Sequence, residues 1–162
     1  MSKILVAYAT RAGSTAEVAE EIGATLRANG ATVDVRAIKS VRDVNGYDAA
    51  IIGSAIRMGS WLPEMVDFIK ANQASLNAIP IALFTVHILN TGEDEASRAA
   101  QQAYLNPIRL LVKPTDDVFF SGKIALEPLS FVDRLMVKMV NPPVGDYRDW
   151  DKIRAWSSAV FQ

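Results

Sequence analysis

The sequence predicts an α/β fold in which helices cover both faces of a parallel sheet. Short apolar segments alternate with amphipathic segments through most of the 162 residues. Nearly every connection between the apolar segments is long enough for the right-handed crossover that joins parallel strands. Five predicted strands in a chain of this length favour a doubly wound five-stranded sheet with the strand order 2-1-3-4-5.

The first two predicted strands enclose an amphipathic helix. Residues 3–9 are short, apolar and partly β-branched, which is typical of a strand buried on both faces. Residues 14–29 place apolar side chains four residues apart, so we expect a helix, which Gly30 stops. Residues 32–38 alternate in polarity, which indicates a strand near an edge of the sheet.

The middle of the chain repeats this alternation. Residues 49–53 form a further apolar run and predict the third strand, followed by a loop and a helix over 63–72 that starts at Pro63. We expect the fourth strand at residues 80–86 and a long helix at residues 95–112.

The last part of the chain holds the fifth predicted strand, at residues 117–126, with Gly122 inside it. Residues 130–140 indicate a helix. It either covers a face of the sheet or supplies an adaptable, methionine-bearing contact with a membrane surface, a quinone or a second subunit. A loop and a final helix at residues 149–161 complete the expected fold.

Composition restricts the possible classes of protein. Lys and Arg number 17 and Asp and Glu 18, so the basic surplus of a nucleic-acid-binding protein is absent. The absence of cysteine excludes disulfides, thiolate metal sites and cysteine nucleophiles. No stretch approaches the roughly 18 apolar residues of a transmembrane helix. We expect a single domain over residues 1–162, no metal, and a cytoplasmic location, with peripheral membrane contact as an option.

The first loop of the predicted sheet is rich in hydroxyl groups. It follows the first strand and leads into the first helix, whose unpaired N–H groups and partial positive charge hold anions. Thr10, Ser14 and Thr15 add hydroxyl donors, and Gly13 allows a close approach of the backbone. Without the lysine of a nucleoside triphosphate loop, this set suits a monophosphate. The alternative is that Ser14 or Thr15 only caps the helix.

Two further loops are expected beside the first one. In a sheet of order 2-1-3-4-5, ligands bind at the carboxyl ends of the strands, between the first and the third strand. The loop at residues 54–61 reaches this point, and the loop at residues 86–92 leaves the neighbouring fourth strand. We therefore expect one binding site built from three loops.

The motif T-R-A-G-S-T at residues 10–15 resembles the phosphate loop of flavodoxins, T-x-T-G-x-T, with Ala12 in place of the middle threonine. The resemblance implies a flavodoxin-like fold that binds FMN. It places the FMN phosphate among Thr10, Arg11, Ala12, Gly13, Ser14 and Thr15.

The second loop resembles a narrower family. The segment I-I-G-S-A-I-R-M-G-S-W, the later N-A-I-P-I-A-L-F-T-V-H, and D-R-L-M-V-K-M-V with Y-R-D-W-D near the end are similar to quinone-dependent protoporphyrinogen IX dehydrogenases. Met58 stands where that family often has tyrosine. The long insertion of the bacterial enzyme is shortened here to about residues 123–149.

The remaining candidate FMN contacts lie on the second and third loops. Trp61 could stack on the flavin or pack at a helix start, and Arg57 could offset flavin charge, meet a substrate carboxylate or lie on the surface. His87 could contact the flavin or play a structural part. The full set comprises Ser54, Ala55, Ile56, Arg57, Met58, Gly59, Trp61, Val86, His87, Asn90, Thr91 and Gly92.

These observations favour an FMN-dependent oxidoreductase that passes electrons from a reduced substrate, such as a tetrapyrrole, through FMN to a quinone. No side chain is assigned as catalytic, because the cofactor performs the redox chemistry. The alternative is an electron-transfer flavodoxin that exchanges electrons with redox proteins. A phosphate-binding module of response-regulator shape is disfavoured, because the strand ends carry Tyr8, Ala9 and Ser54 rather than acidic residues. The oligomeric state is left open.

Overall fold

A computed structural model describes residues 2–10, 13–87, 94–124, 145–146 and 148–161. Its main feature is a sheet of five long parallel strands in the order β2-β1-β3-β5-β6, to which the short β4 pairs on β3. Without β4, this is the predicted order 2-1-3-4-5, so the predicted fold class is confirmed. The strands are β1 Lys3–Ala9, β2 Thr32–Ala37, β3 Ala49–Arg57, β4 Ser60–Trp61, β5 Ile81–His87 and β6 Asp116–Ser121.

Helices lie on both faces of this sheet, as the sequence predicts. The α-helices are α1 Ser14–Ala28, α2 Pro63–Ala71, α3 Gln73–Asn77, α4 Glu95–Arg109 and α5 Trp150–Ala159, and a 3-10 turn spans Ile38–Ser40. Buried side chains of α1 and α5 pack against one face. Those of α2, α3 and α4 pack against the other face.

The central strands are packed closely enough to require glycine at one position. Gly53 of β3 pairs with Phe84 of β5. A Cβ atom at Gly53 would lie 2.1 Å from the Phe84 ring, so no larger residue fits without a shift. The Phe84 ring is fully buried and lies 6.4 Å from the Phe120 ring. This contact fixes the spacing of β3, β5 and β6 beneath the site.

The third strand is longer than predicted, and the loop that follows it is a hairpin. β3 continues to Arg57 and turns back through Met58 and Gly59 into β4, where Arg57 pairs with Ser60. Both turn residues have positive φ, 54° at Met58 and 76° at Gly59. This is the backbone of a two-residue type I′ turn, whose twist matches that of its flanking strands.

Two predicted elements end early. α4 stops at Arg109 rather than residue 112, because the backbone beyond it bonds to Asn77: the Lys113 N–H donates to Asn77 Oδ1, and Asn77 Nδ2 donates to the Leu111 carbonyl. The predicted strand at 117–126 breaks at Gly122. After it, β7 Lys123–Ile124 pairs antiparallel with β8 Gly145–Asp146, inside a predicted loop.

The predicted helix at residues 130–140 lies outside the described residues, and so does its expected contact with a membrane, quinone or subunit. Among the described helices, none has the length and apolar character needed to cross a membrane.

Candidate functional site

The carboxyl ends of the central strands lie side by side. In the parallel register Ala9 of β1 faces Ser54 of β3, and Ser54 faces Thr85 of β5. The chain leaves β1 and β3 at this edge to form the first and second loops. The structure therefore brings these two predicted loops to one edge of the sheet, at the point where the strand order reverses.

The first loop turns sharply into α1 at Gly13. Gly13 has a φ of 89°, a left-handed conformation that favours glycine, and its N–H donates to Thr10 Oγ1 over 3.0 Å. Among the described residues, no neighbour lies within 4 Å of the position that a Cβ atom would take. The backbone at Gly13 is thus open to close approach, as the sequence predicts. Arg11 and Ala12 lie outside the described residues.

The N-cap residue at the start of α1 makes no side-chain capping hydrogen bond. Gly13 is the N-cap residue, and no side chain of the described part of the chain caps this end. Neither Ser14 nor Thr15 therefore holds the N-cap position. Because the first N–H groups of a helix have no partner within it, they can bond to a ligand oxygen.

Thr15 carries a second unmet hydrogen-bonding group. Its side chain is fully buried. Its hydroxyl oxygen has no hydrogen-bond partner among the residues that the structure describes. A buried hydroxyl without a partner costs about 1–3 kcal/mol. Such a group is rare in a native structure unless a ligand or water completes it.

The end of β6 approaches the first loop through Gly122. The Gly122 N–H donates to the His87 carbonyl over 2.9 Å. A Cβ atom at Gly122 would lie 2.9 Å from Val86 Cγ1 and 3.7 Å from Ser14 Oγ. The third loop therefore begins beside the first one. Gly122 was not among the predicted site residues, although a glycine inside a strand pattern signals close approach of another chain segment.

The second loop presents its tip to solvent and buries its base. Met58 is 79% exposed at the tip of the β3–β4 hairpin. A left-handed backbone at a residue with a side chain costs roughly 1–2 kcal/mol. At the base, the Leu62 N–H donates to the buried Ser54 Oγ over 2.9 Å. Ala55, Ile56 and Arg57 lie between these two ends and are partly buried.

Trp61 lies in the core rather than in the open part of the site. Its side chain is only 3% exposed, and its indole N–H donates to Thr85 Oγ1 over 3.0 Å. The structure thus gives Trp61 the packing role that the sequence left as an alternative to flavin stacking. The predicted site did not include Thr85. Its hydrogen bond to Trp61 depends on which face of β5 the indole packs against, and the sequence does not show this.

His87 ends β5 inside an aromatic cluster. It is buried, and its ring centroid lies 5.7 Å from those of Tyr104 and Phe119, both in edge-on arrangements. Val86, beside it, is buried against the opposite face of the sheet. The structure therefore places the His87 side chain among packing residues at the start of the third loop. Asn90, Thr91 and Gly92 lie outside the described residues.

Beyond the third loop, Asp94 fixes the start of α4. Its carboxylate accepts hydrogen bonds from the Ser97 hydroxyl at 2.7 Å and the Ser97 N–H at 3.2 Å. These bonds, the hydroxyl first, hold the pKa of Asp94 below its ordinary value of 3.8. The cap anchors the chain where the third loop ends.

This fold, with its first two loops at one edge of the sheet, defines a flavodoxin-like α/β protein. A family model described as flavodoxin domain matches residues 5–151. The chain therefore belongs to the flavodoxin domain family.

Curated relatives and solved structures agree with this assignment. Protoporphyrinogen IX dehydrogenase [quinone] from Escherichia coli strain K12 is 23% identical over 98% of this chain and 94% of its own length. The enzyme of the same name from Leishmania major is 22% identical over 96% of this chain and 73% of its own length. A Fusobacterium nucleatum flavodoxin bound to flavin mononucleotide superposes with a TM-score of 0.61 at 13% identity, covering 99% of this chain and 97% of that one.

Proposed function

We propose that this protein binds FMN non-covalently at the carboxyl edge of its sheet and acts as an FMN-dependent oxidoreductase of the protoporphyrinogen IX dehydrogenase type. In this proposal a reduced tetrapyrrole loses hydrogen, and a quinone accepts it and leaves as the quinol. FMN supplies the redox chemistry when it is bound, and the protein binds and orients the reacting molecules.

The observation that carries the FMN assignment is the buried Thr15 hydroxyl at the open start of α1. A phosphate oxygen at this position would accept hydrogen bonds from that hydroxyl and from the first N–H groups of the helix. Its negative charge would be stabilised by the partial positive charge of the helix start. Thr10 and Ser14 are the further hydroxyl residues of this loop, together with the Arg11 and Ala12 positions.

The second and third loops would flank the flavin ring. The β3–β4 hairpin and the end of β5 begin at the same edge as the first loop. We propose that the hairpin from Ser54 to Gly59 lines one side, with Met58 as an apolar cover. The third-loop residues Asn90, Thr91 and Gly92 are proposed to meet the pyrimidine edge.

Arg57 is the proposed contact for a substrate carboxylate. It ends β3 beside the hairpin tip and is partly buried. An arginine can bind a carboxylate through two parallel hydrogen bonds, which gives geometric specificity as well as charge. A tetrapyrrole bearing carboxylates would fit this position.

The proposed dehydrogenase activity is supported by the Escherichia coli relative, which is 23% identical over nearly the whole chain. The second candidate is an electron-transfer flavodoxin, which the structural likeness to the Fusobacterium nucleatum flavodoxin favours. The formal net charge of -1 argues against that candidate, because an acidic surface steers encounters with basic redox partners.

Anaerobic mixing separates the two candidates. FMN-loaded protein is mixed with protoporphyrinogen IX, and then with a menaquinone analogue. We expect the visible flavin absorbance to bleach with the first addition and to return with the second. The Arg57→Gln variant, compared at equal FMN occupancy, should bleach more slowly with the same porphyrinogen. Bleaching only by a protein reductase would overturn the enzymatic proposal and support the carrier.

A further inference from the structure

A carboxylate lies within one turn of the proposed phosphate position. Glu17 belongs to the first turn of α1, and its N–H donates to the Gly13 carbonyl over 3.3 Å. The side chain is 58% exposed. A carboxylate and a phosphate both favour the start of a helix, where the helix dipole is positive. Two negative groups that share this end repel each other, so an unpaired Glu17 would weaken phosphate binding.

Arg148 pairs with this carboxylate from the far end of the chain. Its Nη1 donates to Glu17 Oε2 across 131 positions of sequence. The same guanidinium lies 4.6 Å from the centroid of the Trp150 ring, a cation–π contact. Only 6% of the Arg148 side chain is exposed. The Arg148 guanidinium therefore occupies a fixed position beside Glu17.

The position of Arg148 in the chain explains how it is held. It lies between β8 and α5, so the pairing of β8 with β7 fixes one side and the start of α5 fixes the other. Asp149 caps α5 directly after it, accepting a hydrogen bond from the Lys152 N–H over 3.0 Å. Because the Arg148 side chain is buried and packed on the Trp150 ring, it loses little further conformational freedom when it forms the ion pair.

We propose that Arg148 is a positioning residue that neutralises Glu17 and thereby lets the start of α1 accept the doubly charged phosphate of FMN. This inference rests on the proposed function, because it assumes that FMN binds at this loop. It goes further by assigning to the Arg148–Glu17 pair the preference for FMN over riboflavin, which lacks the phosphate.

A second ion pair to α1 provides a control. Arg154 of α5 pairs with Glu21 of α1 over 3.3 Å, one helical turn further from the loop than Glu17. Arg154 also pairs with Asp151 of its own helix over 2.6 Å, so Arg154→Gln removes an ion pair to α1 that is remote from the first loop. Only loss of Arg148 leaves a carboxylate uncompensated in the first turn.

The test measures the dissociation constants of FMN and riboflavin for the full-length apoprotein and four variants: Arg148→Gln, Glu17→Gln, the double variant, and Arg154→Gln. We expect Arg148→Gln to raise the FMN constant by about fivefold and to leave the riboflavin constant within about twofold. Glu17→Gln should bind FMN as tightly as the wild type or more tightly. The double variant should recover wild-type affinity, and Arg154→Gln should change neither constant by more than about twofold.

Three results would overturn this inference. The first is an equal loss of FMN and riboflavin binding in Arg148→Gln, and the second is a double variant as weak as that single variant. The third is a Glu17→Gln variant that binds FMN as weakly as Arg148→Gln. The ion pair would then act only as a structural contact between α1 and the segment before α5. Should Arg148→Gln fail to fold, a Glu17→Gln variant that binds FMN more weakly than the wild type would still overturn the inference. A wild-type protein that binds neither flavin would instead remove the proposed function, and this inference with it.

Discussion

At the scale of single residues, the most informative side chain is Thr15. Its hydroxyl oxygen lies in the interior and lacks a partner among the described residues, at the one helix start where the sequence predicts a phosphate. Interior hydroxyl groups normally bond to a nearby carbonyl or water. The hydroxyl without a partner therefore destabilises the apoprotein, and a phosphate bound there would remove that cost.

Replacing this hydroxyl should separate binding from stability. We expect Thr15→Val to weaken FMN binding by about 10- to 150-fold, because loss of a hydrogen bond to a charged group costs about 1.5–3 kcal/mol. The free energy of unfolding of the apoprotein should stay the same or rise, because the unmet buried hydroxyl is gone. Flavin fluorescence titration and urea denaturation measure the two quantities.

Thr15→Ser is the matched control, since it keeps the hydroxyl and removes only a methyl group. It should retain most of the FMN affinity and lose some stability through the small cavity. Unchanged FMN affinity in Thr15→Val would show that this hydroxyl does not meet the phosphate.

The sequence suffices to place the first loop, but it does not predict which of the loop's side chains are buried. The run of hydroxyl residues before an amphipathic helix suffices to predict an anion site. Which hydroxyl becomes buried depends on how α1 packs on the sheet, and no local pattern records that. The burial of Trp61 could not be predicted for the same reason, because its indole bonds to Thr85, which lies 24 residues away in the sequence.

At the scale of elements, the hairpin after β3 shows where sequence patterns fail. Type I′ turns are recognised by asparagine, aspartate or glycine at both central positions, and here Met58 occupies the first. The apolar run at 49–53 therefore predicts a strand that ends at residue 53. The pairing of Arg57 with Ser60 and the bonds at the hairpin base hold the turn without the usual residue.

A hydrogen bond joins the edge strand β2 to the loop that precedes β3. The Tyr47 hydroxyl donates to Asp34 Oδ2 over 2.6 Å, and Lys3 Nζ lies 5.0 Å from the centroid of the Tyr47 ring. Burial and the hydrogen bond to Asp34 raise the pKa of Tyr47 above its ordinary value of 10.0. A group with a raised pKa in the folded state stabilises the fold below its unfolded pKa and loses that effect as the pH rises through the folded pKa.

Tyr47→Phe should therefore show a stability deficit that depends on pH. We expect a loss of about 1 kcal/mol in the free energy of unfolding near neutral pH, from the missing hydrogen bond. Above about pH 10 the unfolded wild type ionises first, so its advantage over the variant should shrink. Urea denaturation at both pH values checks this.

Asp34→Asn serves as the control for this effect. It keeps a hydrogen-bond acceptor for the Tyr47 hydroxyl but removes the negative charge, so stability should fall less steeply above pH 10 than in the wild type. A Tyr47→Phe deficit that stays constant or grows at high pH would contradict this account of the edge strand.

At the scale of the whole molecule, the strand order could be predicted because it follows from alternation and crossover handedness. Both are properties of long segments, which tolerate errors of several residues at their ends. The pairing of β7 with β8 and the bond from Arg148 to Glu17 join distant parts of the chain, and the sequence carries no local signal for either. The part of the site that depends on such contacts had to come from the structure.

Binding of FMN in the proposed manner requires the first loop to hold the phosphate. The most direct test is calorimetric titration of the full-length apoprotein with FMN, with riboflavin, and with FMN in the presence of inorganic phosphate. We predict saturable binding of FMN, weaker binding of riboflavin, and competition by inorganic phosphate against FMN but not against riboflavin. Absence of saturable FMN binding, or equal affinity for FMN and riboflavin, would contradict the central claim.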